Sequence, residues 1–200
     1  MTTPQSRGLH ATRAYGFLPA WTDLQETPFV AVDFETANRR GGVSACQIAL
    51  VKYANGQVVE SLNTLLKPPP GWDSFEFTYL HGISHSDTLN APSWVEVVDQ
   101  ITDFVANSPV YAHNAQFDSR VWRQLDEHFD TRTLPSRFFC TYYLARRAIS
   151  GLENYKLPTV TQACAPDFVL NHHEAGSDAH ACAMIVASLQ ADPSLATRLG

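Results

Sequence analysis

The chain has 200 residues and 44% hydrophobic content, enough for one compact domain with a full core. Fourteen basic against twenty acidic side chains leave a formal charge of −6. That balance excludes the broad basic surface of a protein that tracks long duplexes, so a nucleic-acid partner is short or is delivered by another protein. The same negative charge is compatible with a concentrated carboxylate site neutralised by bound cations. No window approaches the ~18 uninterrupted apolar residues of a membrane span, and the N-terminus lacks a basic-then-apolar signal pattern. A soluble, cytoplasmic protein without a membrane partner is the expectation. Cys46, Cys140, Cys164 and Cys182 are scattered without a C-x-x-C pair. They read as small buried residues in a reducing compartment.

Residues 1–27 mix Thr, Pro, Gln, Ser and Gly with the isolated aromatics Tyr15, Phe17 and Trp21, an N-terminal extension that docks locally. The continuous apolar run Phe29-Val30-Ala31-Val32 predicts a strand buried on both faces, at the sheet centre. Runs from Val43 to Tyr53 and from Gln57 to Leu66 flank Asn55-Gly56, a pair that tolerates φ > 0 and predicts a tight hairpin. Lys67-Pro68-Pro69-Pro70-Gly71 can continue neither ladder nor helix and leads over the surface into Trp72 to Asn90. Ser93-Trp94-Val95-Glu96 has the form of a capping box and predicts a helix to about Asn107. A short strand from Val110 to Ala112 then precedes a helix from Ala115 to Phe129. Helices are predicted over Phe138 to Ile149, Pro158 to Cys164 and Asp178 to Gln190, and residues 193–200 form a C-terminal tail.

Side chains two apart on a strand share a face, so Asp33 and Glu35 project together from the end of the central strand. Standing alone, such a pair reads as an acidic loop. Asp118 adds to it, because Val121, Trp122 and Leu125 place that carboxylate on the apolar face of its helix. Burying an unpaired carboxylate costs several kcal/mol, so an ion pair, hydrogen bonds or a metal is required. Asp178 repeats the geometry through Ala181, Cys182, Ile185 and Leu189, although an Asp at a helix start is equally readable as an N-cap. An oxygen-rich cluster suits Mg²⁺ or Mn²⁺ rather than zinc. His173, five residues before Asp178 in a His-, Gly- and Ser-containing loop, is placed to reach a water at such a site.

Three ordered motifs resemble those of the DEDDh 3′-to-5′ exonuclease superfamily, which includes polymerase proofreading subunits, oligoribonuclease and ribonuclease T. They are Phe29 to Thr36 (FVAVDFET), His113 to Asp118 (HNAQFD) and His173 to Ala179 (HEAGSDA). The resemblance covers roughly residues 28–190, within an exonuclease domain expected over 28–192. It implies an α/β, ribonuclease H-like fold with a mixed five-stranded sheet flanked by helices. It also implies stepwise release of nucleoside 5′-monophosphates from a free 3′ end by two ions roughly 3.5–4 Å apart. In that scheme Asp33 bridges the ions, Glu35 and Asp178 complete one site, Asp118 supports the other, and His173 is the general base. His81-Gly82-Ile83 is similar to the family segment near the terminal nucleotide, and Thr36 and Phe117 are candidate contacts to it, by hydrogen bonds and by ring stacking. Glu174 and Gly176-Ser177 depart from the commoner third motif, and His172 competes with His173 if the loop shifts.

The expected partner is the 3′ end of single-stranded DNA or RNA, with DNA and a repair setting preferred. A polymerase or a second copy of the chain are candidate protein partners. Arg39 and Arg40 are the nearest cations for phosphates. Two other functions fit parts of the pattern: a noncatalytic nucleic-acid-binding subunit, and a metal-dependent phosphodiesterase acting on short signalling molecules.

Overall fold

The computed structural model describes residues 16–200, so Tyr15 and the rest of the first fifteen residues lie outside the described residues. A short helix α1 (Trp21–Leu24) leads into the central strand β1 (Phe29–Thr36). Strands β2 (Ala45–Ala54) and β3 (Gln57–Leu65) form a hairpin whose turn residues Asn55 and Gly56 have φ of 54° and 79°. That is the double left-handed turn for which Asn-Gly is suited. The Pro-rich segment follows, and then two single-turn helices, α2 (Thr78–His81) and α3 (His85–Thr88). Helix α4 (Trp94–Val105) opens with the Glu96 carboxylate accepting from both the Ser93 backbone N–H and its hydroxyl, each at 2.7 Å. Strand β4 (Val110–Ala112) and helix α5 (Ala115–Phe129) come next.

The predicted helix from Phe138 to Ile149 is corrected at its start. Phe138–Cys140 is strand β5, paired in parallel with β4, and helix α6 covers only Thr141–Ala148. Three apolar residues carry no periodicity of their own, and the free edge of β4 decides their conformation. Helix α7 (Leu157–Cys164) follows. Helix α8 (Ala175–Gln190) begins three residues before the predicted Asp178, because Glu174 accepts from the Gly176 and Ser177 N–H groups and caps it. Asp178 is therefore inside the first turn and is not the N-cap. A last helix, α9 (Leu195–Leu199), ends the chain.

The five strands lie in the order β3-β2-β1-β4-β5, with β1 antiparallel to β2 and parallel to β4. This is the mixed five-stranded α/β sheet flanked by helices that the motifs imply. Side chains of β1 alternate between its two faces. Val30, Val32 and Phe34 pack with Trp94, Ile101 and Trp122 of α4 and α5, whereas Phe29 and Ala31 pack with Ile185 and Val186 of α8. Asp33 and Glu35 continue the second set and so face the layer that carries α8. Leu24 before the sheet and Leu195 after α8 are both fully buried in that same layer. Among the described residues no helix is long and apolar enough to cross a membrane.

Candidate active site

Asp33, Glu35 and Asp178 each bring a carboxylate oxygen within 4.8 Å of the others. Their placement follows from the fold: period-two alternation puts the first two on one face of β1, and the first turn of α8 lays the third against it. Asp118 sits behind them and is 1% exposed. Strand β4 pairs with β1 only at Val30 and Ala31, and past that ladder the Phe34 N–H donates to Asp118 Oδ1 at 3.1 Å.

None of Asp33, Glu35 and Asp118 forms an ion pair with Lys or Arg among the described residues. Their acidities record the strain. Burial, then the neighbouring Asp178 and Asp118, push Glu35 up to about 8. Burial pushes Asp118 up to about 8 against the opposing Phe34 hydrogen bond. Asp33 is raised well above the ordinary carboxylate range, by burial and then by Asp118, Asp178 and Glu35. Asp178 is raised by burial, with His172 pulling the other way. Protonation or bound cations relieve such crowding. An all-oxygen donor set without sulfur or a neighbouring protein cation fits hard divalent ions.

The carboxylates open into a cleft of about 490 Å³ lined also by Thr36, Phe117 and His173. His172 and His173 stack with ring centroids 3.8 Å apart. His172 Nδ1 lies 2.9 Å from Asp178 Oδ2, whereas His173 reaches the same oxygen through its backbone N–H at 3.1 Å, with φ at 71°. The His173 imidazole is half-buried, and burial together with His172 lowers its basicity. It is therefore readily held neutral.

His81 is not among the residues lining the cleft. Its Nδ1 accepts from the Ile83 N–H at 3.1 Å, so its Nε2 carries the proton and donates to the Thr36 carbonyl at 3.2 Å. It supports Thr36 from behind. Arg39 is ion-paired to Glu76 at 2.7 Å, and Arg40 bonds the Gly71 carbonyl and lies over the Trp72 ring.

Sequence reasoning missed several cleft residues. Phe77 and Leu80 enter from α2 and its approach, Tyr142 and Tyr143 from α6, and Lys156 is the single Lys or Arg of the lining among the described residues. The adjacent tyrosines were a readable aromatic signal, hidden by the assignment of their segment to an ordinary helix. His113 stands in the sequence only as one letter of a motif, with no role of its own. Its Nε2 faces the Tyr155 carbonyl at 2.9 Å and so bears the proton, and its Nδ1 accepts from the Thr141 hydroxyl at 2.9 Å. Burial lowers its pKa to about 4, which keeps it neutral in that role. It thereby pins the segment that delivers Lys156.

A mixed sheet whose central strand delivers acidic side chains to meet others from two flanking helices is the ribonuclease H-like α/β arrangement. The RNase_T exonuclease family model matches residues 30–186, and the chain belongs to this exonuclease family. It is 31% identical over 161 residues to a PolC-type DNA polymerase III of Caldanaerobacter subterraneus subsp. tengcongensis, covering 80% of this chain and 11% of that protein. The same polymerase type from Thermotoga petrophila is 28% identical over 165 residues, covering 82% and 12%. The chain thus spans about a tenth of the length of these curated relatives.

Two solved structures share the fold. Exonuclease X in complex with 5′ overhanging duplex DNA superposes with a TM-score of 0.66 at 22% identity, covering 86% of this chain and 96% of that one. The nuclease domain of 3′hExo, a DEDDh family member bound to rAMP, gives a TM-score of 0.69 at 12% identity, covering 82% and 92%. These two likenesses show the shared fold, and the family assignment rests on the matching exonuclease model.

Proposed function

We propose that this chain removes nucleoside 5′-monophosphates stepwise from the 3′ end of single-stranded nucleic acid, with DNA preferred. The convergence of Asp33, Glu35 and Asp178 oxygens within 4.8 Å at the base of an aromatic-walled cleft carries this reading. Two Mg²⁺ or Mn²⁺ ions held by Asp33, Glu35, Asp178 and Asp118 would neutralise the crowded carboxylates and stabilise charge developing on the phosphate.

The protein's own groups do the rest. Phe117 offers a ring for the terminal base to stack on, and Thr36 offers backbone and hydroxyl contacts, its carbonyl held by His81. Neutral His173 takes a proton from the attacking water as the water oxygen bonds to phosphorus. The bond from phosphorus to the 3′ oxygen then breaks, its electron pair staying on that oxygen, which takes a proton from solvent to become the new 3′ hydroxyl, while the phosphate stays on the departing nucleotide. Lys156, the one Lys or Arg of the wall among the described residues, balances the charge of the terminal phosphodiester. The cleft offers little else to pull a duplex apart, which supports the single-strand preference. The PolC-type relatives favour a polymerase as the protein partner over a second copy of the chain.

A degradation assay on 5′-labelled DNA and RNA oligomers, single-stranded and blunt duplex, with and without EDTA, tests the proposal. A ladder shortening from the 3′ end, faster on single strands and abolished by EDTA, is the expected result. Equal rates on both forms would remove the strand preference. No shortening would leave a binding subunit, and activity confined to dinucleotides would leave a small-molecule phosphodiesterase.

A further inference from the structure

Phe117 divides two regions of opposite charge. On one side lies the cleft, where Asp33, Glu35 and Asp178 face, among the described residues, the single Lys or Arg, Lys156. On the other are two adjoining hollows of about 560 and 250 Å³, which share Phe117 and Arg120 and contain no Asp or Glu in their walls. Arg123 lines the larger hollow and Arg39 the smaller. In a chain of net charge −6, hollows that adjoin an acidic cleft and whose walls hold, among the described residues, three arginines and no carboxylate are a local reversal of the overall balance.

The arginines differ in what already holds them. Arg39 is tied to Glu76 at 2.7 Å. Arg123 is 3.7 Å from Glu127 in an exposed i,i+4 pair, which is a weak restraint. Arg120 has no carboxylate partner among the described residues, and residues 1–15 contain no Asp or Glu. Its guanidinium lies 5.8 Å from the Phe117 ring centroid. A cation beside an aromatic ring is the combination that holds a phosphate while a base stacks. The half-buried Phe117 and the exposed Arg120 and Arg123 succeed one another at intervals of three on α5, rising about 4.5 Å per step.

We infer that the substrate strand upstream of the scissile bond leaves the cleft over Phe117 and runs along the exposed face of α5, its phosphates held by Arg120 and Arg123. This rests on the exonuclease reading for the strand's terminus, and it assigns the path of the remaining nucleotides. The consequence is a length dependence: an octanucleotide reaches both arginines, and a dinucleotide is too short to do so.

The test measures binding apart from turnover. Fluorescence anisotropy of a labelled, single-stranded octanucleotide with phosphorothioate linkages is recorded at 50 and 200 mM salt for the full chain. The same is done for Arg120→Gln/Arg123→Gln and for Arg132→Gln, an exposed cation beyond the end of α5. For a single strand, every phosphate that is no longer neutralised by a protein cation takes about 0.7 off the log–log salt slope. The double variant should therefore lose about sevenfold of the weakening that wild type shows over this range, and Arg132→Gln should lose none of it. The double variant's preference for an octanucleotide over a dinucleotide in the cleavage assay should shrink in parallel. A double-variant slope equal to wild type, or an equal loss in Arg132→Gln, would overturn the path. Wild type that binds with this Arg-dependent slope but never shortens an oligomer would overturn the exonuclease reading and leave the path standing.

Discussion

Asp33 sits at the focus of the site, crowded by Asp118, Asp178 and Glu35. Asp33→Asn keeps the side-chain size but removes a carboxyl that the metal-free folded protein can ionise only at a cost. The expected outcome is loss of nuclease activity with a metal-free melting temperature equal to or above wild type. A stable variant that still turns over at near the wild-type rate would contradict the assignment. His173 makes a second residue-scale prediction. Its basicity is lowered, so the neutral form needed to accept a proton already dominates above a pH somewhat below its ordinary 6.5. Activity should rise with pH through that titration, and His173→Ala should flatten the limb and slow turnover by about 10²–10⁴-fold while metal binding persists. His172→Ala is the necessary companion, because His172, with its ring nitrogen 2.9 Å from Asp178, is the closer imidazole. A larger loss in His172→Ala than in His173→Ala would transfer the role to it.

At the scale of elements, two junctions set the carboxylate geometry. The turn Gly42–Ser44 packs so tightly on α5 that a Cβ at Gly42 would lie 2.4 Å from Val121 Cα, and the Gly42 N–H donates to Gln124 Oε1 at 2.6 Å. Backbone cannot yield as a flexible side chain does. Gly42→Ala should therefore destabilise by about 1–3 kcal/mol in chemical denaturation and reduce activity by displacing α5, which carries Asp118. At the other junction, Glu174 caps α8 and is bonded by Asn63 from β3 at 3.1 Å, which ties the third motif to the sheet edge. Glu174→Ala should cost about 1 kcal/mol through the lost cap. It also removes one of the charges that raise Asp33 and Glu35, so their titration, followed by carboxyl NMR, should move toward ordinary values. An unchanged titration would mean that Glu174 acts on α8 alone.

For the whole molecule, the raised carboxylates link stability to pH with a definite sign. A carboxyl whose pKa is higher folded than unfolded binds more protons in the folded state, so its contribution is present at low pH and is lost as pH rises. Glu35 and Asp118, both near 8 when folded, place that loss between the ordinary carboxylate range and about pH 8. The metal-free melting temperature should accordingly fall over this interval. Adding Mg²⁺ or Mn²⁺ should raise it more at pH 8 than at pH 5, since protons and cations compete for one set of oxygens. A melting temperature that rises from pH 5 to 8 without metal would show that the carboxylates are compensated in another way.

Much of this site is legible in the amino-acid sequence, for an identifiable reason. Alternation along β1 puts Asp33 and Glu35 on one face whatever the rest of the chain does, and the apolar spacing of α5 and α8 turns Asp118 and Asp178 inward. The Asn55-Gly56 turn and the Ser93–Glu96 cap are likewise local chemistry, complete within a few residues. What stayed hidden depends on partners distant in sequence. The strand Phe138–Cys140 exists because β4 offers it an open edge, and Glu174 displaces Asp178 as the cap of α8 with Asn63, 111 residues away, bracing it. Tyr142, Tyr143 and Lys156 reach the cleft only through packing, the last of them through the bond from His113 to the Tyr155 carbonyl. Arg39 and Arg40, the cations nearest the first motif in sequence, are already engaged by Glu76 and Gly71. Arg120 is left without a carboxylate, a difference that resides in side-chain pairing and that periodicity and spacing do not encode.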